Sequence, residues 1–405
     1  MGDSLKPRDV GEVEAAIQWA LAGGKTLEVA GRGTKRAIGR AAQWDATLDL
    51  SGLSGVTLYE PEELVLSAKA GTPLADIESL IAKSKQELAF EPMDYGPLLG
   101  APPGGATIGG VIAANLSGPR RIKAGAARDH FLGVNAVSGR GESFKSGGRV
   151  VKNVTGYDLC KLLAGSWGTL AAMTEITVKV LPRAETEATV LLLDLDDSTA
   201  RKAMAAATGS YGDVSAAAHL PAAVAARIAA VASAGGAVTA FRLEGVAPSV
   251  VQRKTVLEEL LVPFGTLGAL DEAPSHAFWR AVRDVTPFAA AGPAGARDLW
   301  RISTAPMRGP DLGRRLADAE ILYDWAGGLV WAALPPGPDA SAPLVRAAVA
   351  EAGGHATLIR ALAAVRAAVE VFTPESPAIA ALSRRVRDSF DPNGVLSPGR
   401  MWAGA

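Results

Sequence analysis

The sequence predicts an α+β fold with more than one domain, and three observations support this. The chain has 405 residues, which exceeds the usual size of a single domain. Hydrophobic residues make up 48% and charged residues 20% of it, so there is ample apolar material for packed cores. Short runs typical of strands alternate with alanine-rich helical patterns through the second half.

The first predicted element is a helix between Pro7 and Gly23, where apolar residues recur at helical spacing behind a capping Asp9. A short strand at residues 26–30 follows and ends in the loop Gly31-Arg32-Gly33-Thr34-Lys35. Successive N–H groups of a Gly-x-Gly turn can point the same way, here beside a hydroxyl and two cations. The loop is therefore a candidate phosphate nest, and a plain turn accounts for these residues equally well.

Short strands separated by turns are predicted between residues 47 and 70, followed by a helix after Pro73. The stretch from Ala101 to Gly133 is denser in glycine than a helix or strand should tolerate. We expect it to be an irregular backbone that cradles a ligand, with Ile108, Val111 and Ile112 as a short apolar stripe packed on a sheet. An irregular connector is the alternative.

A hairpin is predicted at residues 130–148, then a short helix around Cys160 and a final strand at 176–181 that closes the first domain near Pro182. Cys160 is expected to be a buried, structural thiol. In the second half, strands are predicted at 188–195, 237–243, 299–304, 329–334 and 355–359, and helices at 222–232 and 342–352.

Composition excludes several classes of function. Lys and Arg number 41 against 42 for Asp and Glu, so no general attraction to nucleic acid is expected. The single cysteine excludes an internal disulfide and a cysteine cage for zinc or an iron–sulfur cluster. The N-terminus does not resemble a secretory signal, and no apolar run reaches the roughly 18 residues of a membrane span. We expect a cytoplasmic protein without direct membrane insertion, associated with a membrane only through partner subunits.

Four segments in order, at residues 31–35, 102–110, 125–129 and 152–177, resemble the PCMH-type FAD-binding domain of the vanillyl-alcohol oxidase family. LSGPRRIKAGAARDH and VVKNVTGYDLCKLLAGSWGTL are similar to the FAD-binding E subunits of bacterial glycolate oxidases, and FDPNGVLSPGRM extends the resemblance to the C-terminus. The resemblance implies a two-subdomain FAD-binding domain at residues 1–184 and an antiparallel-sheet-plus-helices cap at 185–374. It implies that residues 375–405 return to pack on the FAD domain.

The resemblance also implies which residues bind FAD. It assigns the pyrophosphate to Gly31, Arg32, Gly33, Thr34 and Lys35, and the second phosphate and flavin side to Pro103, Gly104, Thr107, Ile108, Gly109 and Gly110. It places Asn115, Ser117, Gly125, Arg128 and Asp129 near the flavin and ribityl chain. The residues expected to close over the nucleotide half of FAD are Gly156, Tyr157, Asp158, Glu175, Ile176 and Thr177. The first loop has no histidine for covalent attachment, so the expected FAD is non-covalent.

Catalytic members of the family carry cap motifs such as H-x-G-D-G-N and E-H-G, which bind a metal and accept a proton. The four histidines of this chain, His130, His219, His276 and His355, lie outside such motifs. The catalytic residues are therefore unknown and no metal site is expected. His130 is as compatible with a structural role as with a functional one, and Trp325 and Trp331 with core packing or a vestigial pocket.

The resemblance favours an FAD-binding subunit of a glycolate oxidase complex, working beside a catalytic flavoprotein paralogue and an iron–sulfur subunit and relaying electrons or supporting assembly. A scaffold subunit with structural FAD is a second possibility. A self-sufficient D-lactate-type dehydrogenase, using Tyr323 or His130 as its base, is a third. The basic cluster of Arg120, Arg121, Lys123 and Arg128 fits a carboxylate substrate, a partner's acidic surface or a solvated loop.

Overall fold

The computed structural model describes residues 3–149 and 156–403, and the chain forms an N-terminal region (3–182) and a cap (186–373). The strands of the N-terminal region are β1 (Asp3–Leu5), β2 (Leu27–Ala30), β3 (Ala46–Asp49), β4 (Val56–Glu60), β5 (Val65–Lys69), β6 (Gln86–Glu87), β7 (Phe131–Ser138), β8 (Ser143–Gly147), β9 (Ala171–Lys179) and β10 (Leu181–Pro182). Its helices are α1 (Val10–Ala22), α2 (Leu74–Ala82), α3 (Ile108–Ala114), α4 (Arg121–Ala124), α5 (Ala127–His130) and α6 (Leu159–Leu163).

Two larger sheets build the N-terminal region, and β6 and β10 form a small antiparallel pair beside them. Strands β1, β3 and β2 form a parallel sheet, and β4-β5-β9-β7-β8 form an antiparallel one. Helix α1 starts as predicted, because the Asp9 carboxylate accepts a hydrogen bond from Glu12 N at 2.9 Å. Its buried face, Val13 and Ile17, packs with Leu48 into the core beside the parallel sheet. The predicted hairpin is β7 and β8, whereas the predicted strand at 176–181 is wrong at both ends, since β9 begins at Ala171 and ends at Lys179.

The glycine-dense stretch is not irregular throughout, and in this respect the prediction is wrong. Helix α3 crosses its middle, and Thr107 caps it by accepting from Gly110 N at 3.2 Å. Ile108 is fully buried as predicted. A Cβ at Gly109 would lie 2.7 Å from the carbonyl oxygen of Ala70. Glycine here therefore permits close packing of the helix on the sheet, and this packing outweighs its poor helix propensity.

The cap is one eight-stranded antiparallel sheet with helices on it. Its strands are β11 (Thr186–Leu193), β12 (Ala216–Leu220), β13 (Val238–Gly245), β14 (Thr266–Leu270), β15 (Asp298–Ser303), β16 (Glu320–Asp324), β17 (Leu329–Leu334) and β18 (His355–Arg360), in the order β14-β11-β13-β12-β16-β17-β15-β18. Its helices are α7 (Asp197–Thr208), α8 (Ala222–Ala225), α9 (Ala247–Leu261), α10 (Glu272–Arg283), α11 (Gly309–Arg315), α12 (Ala342–Ala352) and α13 (Ala363–Ala368). This arrangement confirms the predicted α+β class.

The two faces of the cap sheet have different neighbours. Helices α7, α9, α11 and α12 cover one face. On the other face, Leu299, Leu322 and Trp331 share a core with Phe90 and Leu98 of the N-terminal region. The cap sheet therefore lies directly against the N-terminal region.

The five strands predicted in the second half correspond to β11, β13, β15, β17 and β18, and the helix at 342–352 is α12. The helix predicted at 222–232 is wrong beyond Ala225. There the chain turns, with Arg227 N and Ile228 N bonded to carbonyls three residues back, and Ile228 and Val231 enter the core. Burial of these two side chains outweighs the helix propensity of the alanines. No helix in the described ranges is both long and apolar enough to cross a bilayer.

The chain after the cap forms α14 (Pro377–Phe390) and then returns to the N-terminal region. Leu27 N donates to Val395 O at 2.8 Å, and Ser397 N donates to Leu27 O at 2.7 Å. The Ser397 hydroxyl accepts from Val29 N at 3.0 Å. The C-terminal segment thus runs alongside β2 and brings Arg400 next to the loop that follows this strand.

Replacing Asp391 with alanine should lower the free energy of unfolding by about 2 kcal/mol, because two buried N–H groups lose their acceptor. The Asp391 carboxylate accepts from Val395 N at 2.9 Å and Leu396 N at 2.7 Å. Urea denaturation would measure the loss, with Asp388→Ala, an exposed acid on α14, as the control. Equal stability of the two variants would contradict the prediction.

Candidate FAD-binding cleft

A cleft of about 690 Å³, part of it open to solvent, lies where the loop after β2 meets α3 and the first residues of β9. The loop 31–36 forms one side of it. Thr107, Gly109, Gly110 and Ala113 form a second side, and Trp167, Gly168, Ala171, Met173 and Arg400 complete it.

Glycine is required where these segments meet. A Cβ at Gly31 would lie 2.7 Å from the Thr107 hydroxyl, and a Cβ at Gly105 would lie 2.7 Å from the Thr34 methyl group. Gly33 has φ +71°, a left-handed conformation that strains other residues. The loop can therefore present its backbone N–H groups to a ligand without side chains in between.

Lys35 is the buried cation of the cleft. Its side chain is 7% exposed, and its Nζ lies 3.4 Å from the Thr34 hydroxyl. Burial lowers the pKa of Lys35 to about 8, with the Asp94 charge opposing this change and the Arg400 charge adding to it. Among the described residues, no carboxylate lies within 4 Å of its Nζ. A buried ammonium of this kind needs an anion, and a ligand phosphate would supply one.

The other charges of the cleft add to this positive character. Arg32, Arg36 and Arg400 also line it, whereas Glu28 is the one acid among the lining residues in the described part of the chain. Glu28 is buried and already paired with Arg36, whose Nε lies 2.9 Å from one of its carboxylate oxygens. Arg400 Nη1 also lies 3.8 Å from Glu28. Arg32 and Lys35 have no carboxylate within 4 Å among the described residues, so they are available to an anionic ligand.

FAD fits this cleft chemically. It carries two phosphates and two aromatic ring systems, so it needs clustered donors beside an apolar wall. Leu50, Ala70, Ala113, Trp167 and Met173 provide apolar lining next to the cations and the glycine loop. The donor set, the charge and the glycine cradle all match such a ligand.

The structure brings together eight of the residues assigned to FAD by resemblance. Gly31, Arg32, Gly33, Thr34, Lys35, Thr107, Gly109 and Gly110 line the cleft. Ile108 lies in the core beneath them. Pro103 and Gly104 are exposed on the adjoining loop, where Gly104 N donates to Asp94 Oδ2 at 2.6 Å.

The residues expected near the flavin and ribityl chain are close together but outside the lining of the cleft. Their polar side chains bind the backbone of their own segment: Asn115 Oδ1 accepts from Arg128 N at 3.0 Å, Ser117 Oγ from Ala127 N at 2.8 Å, and Asp129 Oδ2 from Ala126 N at 2.9 Å. Gly125 has φ +90° beside Asp129. These contacts fix the shape of the segment, and a contact of these residues with FAD stays a prediction.

The last set of predicted residues lies apart from the cleft. Gly156 and Tyr157 are exposed, and Asp158 caps α6 by accepting from Lys161 N at 3.2 Å. Ile176 is in the core, and Glu175 beside it is partly buried. The Thr177 hydroxyl forms a hydrogen bond with Ser67 Oγ at 2.8 Å within the sheet. Residues 152–155 of the resembling segment lie outside the described residues. The assignment of these positions to FAD stays untested.

Sequence reasoning missed several residues of the cleft. Glu28, Trp167 and Arg400 were not singled out, although the last two lie in segments that carry the resemblance. Arg400 Nη2 donates to Lys35 O at 3.0 Å, and its guanidinium lies 5.7 Å from the Trp167 ring. Contacts between such distant segments leave no local pattern in the sequence.

Tyr323 does not have the environment of a catalytic base. Its hydroxyl donates to Asp197 Oδ2 at 2.5 Å, on the side of the cap sheet covered by α7, and its ring stacks on His219 at 5.8 Å. Burial, together with the Asp197 charge, raises the pKa of Tyr323 far above its ordinary value. A phenol of this kind does not accept a proton near pH 7.

Two of the other side chains singled out from the sequence, His130 and Cys160, are buried, whereas His276 is half-buried and His355 is exposed. His130 is buried with Nε2 2.9 Å from Ala124 O, and burial lowers its pKa. Cys160 is buried as predicted, and burial raises the pKa of its thiol to about 11. Within residues 3–149 and 156–403, no group of three or more histidine, cysteine or acidic side chains could hold a metal ion.

Comparison with known proteins identifies the family. A family model described as FAD binding domain matches residues 4–147. The glycolate oxidase subunit GlcE of Escherichia coli (strain K12) is 32% identical over 392 residues, covering 96% of this chain and 95% of that protein. The glycolate oxidase subunit GlcD of Bacillus subtilis (strain 168) is 44% identical over 88 residues, covering 22% of this chain and 19% of that protein.

Solved structures show the same fold at low sequence identity. p-Cresol methylhydroxylase with substrate bound superposes with a TM-score of 0.72 at 13% identity, covering 98% of this chain and 88% of that one. The predicted two-part α+β arrangement and the predicted FAD cofactor agree with these findings. The chain belongs to the family of the glycolate oxidase subunit GlcE and is an FAD-dependent flavoprotein.

Proposed function

We propose that this chain is the FAD-binding subunit of a complex that oxidises glycolate to glyoxylate. Its FAD relays electrons or supports assembly, and the substrate-oxidising site lies on another subunit. The observation that carries the proposal is the glycine-cradled cleft around the buried Lys35, in a chain similar to GlcE over nearly its whole length. Membership of a complex is also supported by the similarity to GlcD.

In this proposal, the residues of the cleft hold FAD through charge and backbone donors. Lys35, Arg32 and Arg400 neutralise the phosphates, and the N–H groups of the glycine loop bind their oxygens. Among the described residues that line the cleft there is no histidine, cysteine or tyrosine, which supports non-covalent binding. When bound, FAD supplies a two-electron acceptor.

Two partner subunits are proposed for this chain, one to accept electrons and one to oxidise the substrate. Oxidation of glycolate to glyoxylate releases two electrons and two protons, and these electrons must leave the flavin. With one cysteine, this chain cannot ligate an iron–sulfur cluster, so a separate iron–sulfur subunit is proposed to accept the electrons. A catalytic flavoprotein paralogue is proposed to oxidise the substrate, and the complex to be cytoplasmic or membrane-associated through these partners.

An absorption spectrum of the purified chain, followed by anaerobic addition of glycolate, tests the proposal. We expect a flavin spectrum that glycolate does not bleach until the partner subunits are added. Purification without FAD, even after incubation with it, would overturn the proposal. Bleaching by glycolate alone would mean that the chain is a self-sufficient dehydrogenase.

A further inference from the structure

Helix α14 is far more exposed than the other long helices. It buries none of its 14 residues, whereas α10, with 12 residues, buries four. The second half of α14 packs on the protein through Val386 and Phe390, and the Phe390 ring lies 5.9 Å from that of Phe144. The first half, residues 377–383, packs on none of the hydrophobic cores of the described residues.

The apolar residues of α14 nevertheless form one stripe. Ile379, Leu382 and Val386 are spaced by three and four residues, so they lie on one side of the helix. Ile379 is 51% exposed and Leu382 is 52% exposed. Because such a stripe on a surface helix normally faces a core, it indicates a contact that the chain does not make by itself.

A groove of about 1470 Å³, part of it open to solvent, lies along this helix. Helix α14 forms one wall of it, and residues 162–170 and 401–403 form the other. Most of the lining is apolar and includes Leu162, Ala164, Leu170, Val386 and Met401. Large apolar surfaces left open to water commonly mark places where another molecule binds.

The groove and the FAD-binding cleft share a wall. Gly168 lines the cleft, whereas Thr169, the next residue, lines the groove. The C-terminal segment shows the same division, with Arg400 in the cleft and Met401 in the groove. A molecule bound in the groove would therefore lie next to the cofactor site.

The cations of α14 are available to an acidic partner. Arg384 lines the groove and Arg385 follows it, and both are exposed. In the described part of the chain, neither guanidinium has a carboxylate within 4 Å. Arg387, which also lines the groove, lies 3.9 Å from Asp388.

The acids that line the groove already have partners. Glu375 Oε1 accepts a hydrogen bond from Ser383 Oγ at 3.0 Å. Glu370 lies 4.0 Å from Arg40 Nη1. Among the described lining residues these are the two acids, so the charge left without a partner is positive.

We propose that this groove binds a partner subunit through an apolar segment that carries acidic residues beside its apolar side chains. The apolar side chains would cover Ile379 and Leu382, in the manner of a helix laid into a hydrophobic groove. The acidic residues would pair with Arg384 and Arg385, which fixes the orientation of the segment.

Two other occupants fit less well. A second copy of this chain that inserted its own α14 would bring the arginines of both helices together, and like charges repel. A lipid surface is flat and does not fill a concave groove. The choice of partner subunits as the probe rests on the proposed function, whereas the groove itself rests on these contacts.

Surface plasmon resonance with the full FAD-containing chain tests the proposal, with the flavoprotein paralogue and the iron–sulfur subunit immobilised in turn. We expect one of them to bind. Leu382→Glu should weaken this binding by about 10- to 100-fold, because an apolar contact is lost and an acid faces the acids of the partner. Arg384→Glu should weaken it by at least about tenfold, because an attraction becomes a repulsion.

Two matched controls carry the same substitutions elsewhere. Val251→Glu changes a valine of α9 that is 67% exposed, and Arg280→Glu changes an exposed arginine of α10. Both should bind the partner as the unmodified chain does. Hydrogen exchange gives a second readout, since amides of residues 162–170 and 377–387 should exchange more slowly in the complex.

The outcomes separate this proposal from the proposed function. If the unmodified chain binds a partner and Leu382→Glu and Arg384→Glu match their controls, the groove is refuted and the proposed function stands. If neither subunit binds the unmodified chain, the proposed complex is refuted and the groove proposal with it. Self-association of the chain, or binding to phosphatidylglycerol vesicles, that Leu382→Glu abolishes would overturn the assignment of the groove to a partner subunit.

Discussion

Replacing Arg242 with methionine should lower the free energy of unfolding by about 3 kcal/mol, because a buried carboxylate loses the cation that binds both its oxygens and keeps only Arg120, at 3.7 Å. Arg242 is 2% exposed, and its two terminal nitrogens donate to the Glu91 carboxylate at 2.8 and 2.9 Å. Its guanidinium also lies 4.9 Å from the Trp279 ring. Methionine would keep much of the packing and remove the charge.

The effect should be large because Arg242 joins two parts of the molecule. It is on β13 of the cap, whereas Glu91 is in the N-terminal region and also accepts from Arg120 N at 2.7 Å. Arg242 lies 3.4 Å from Glu244 as well. Loss of this cation should therefore weaken both the cap and its attachment.

The pH dependence of stability should change in the same variant. Burial opposes ionisation of Glu91 and Glu244, but the charges of Arg242 and Arg120 outweigh it: they lower the pKa of Glu91 and bring that of Glu244 to about 2. Because these folded-state values lie below the unfolded ones, the stabilisation is present above about pH 4.5 and is lost as the pH falls towards 2. Arg242→Met should lose part of this acid-sensitive stability.

Urea denaturation at pH 7 and at pH 4 would measure both effects. Arg315→Met is the matched control, because Arg315 pairs with Glu351 on the surface, where ion pairs contribute about 0–1 kcal/mol. If Arg242→Met were no less stable than this control, the buried network would not stabilise the contact between the cap and the N-terminal region.

The sequence predicted those helices and strands in which the spacing of apolar residues matches the residues that are buried in the structure. Helix α1, strand β17 and helix α12 are examples, since each has its apolar residues at the spacing that its own geometry requires. Helix α3 was missed because a glycine at position 109 disfavours a helix on its own. The reason for this glycine is its close contact with the backbone of Ala70, just after β5. Helix 222–232 was overpredicted because its apolar residues turn into the core.

The candidate site was predictable only where one segment carries it. The loop 31–35 shows its glycines, hydroxyl and cations together, so it could be singled out as a candidate phosphate nest from one segment, and its contact with FAD stays a prediction. Other contacts depend on the tertiary fold. Examples are the hydrogen bond of Arg400 to Lys35 and the packing of Arg121 and Arg301 on the Trp325 ring. Pairings over such sequence separations are set by packing and not by spacing.

Replacing Lys35 with methionine should have opposite effects on stability and on FAD binding. Without FAD, burial of the charged Lys35 side chain destabilises the folded protein. The fall of its pKa from 10.5 to about 8 reflects this destabilisation. A difference of this size corresponds to about 3 kcal/mol, so FAD-free Lys35→Met should be more stable at pH 7 by up to that amount. FAD affinity should fall by at least about tenfold, because a charge-assisted hydrogen bond to phosphate is lost.

The sign of the pH dependence identifies the cause. Between about pH 8 and 10.5, the unfolded chain keeps the Lys35 proton that the folded chain has lost, so the stability contribution of this residue rises with pH across that window. The difference between the FAD-free chain and Lys35→Met should therefore shrink as the pH rises. Lys83→Met, at an exposed position after α2, should bind FAD normally and show no such trend. A Lys35→Met protein with normal FAD content and unchanged stability would mean that Lys35 neither bears a burial cost nor contacts the cofactor.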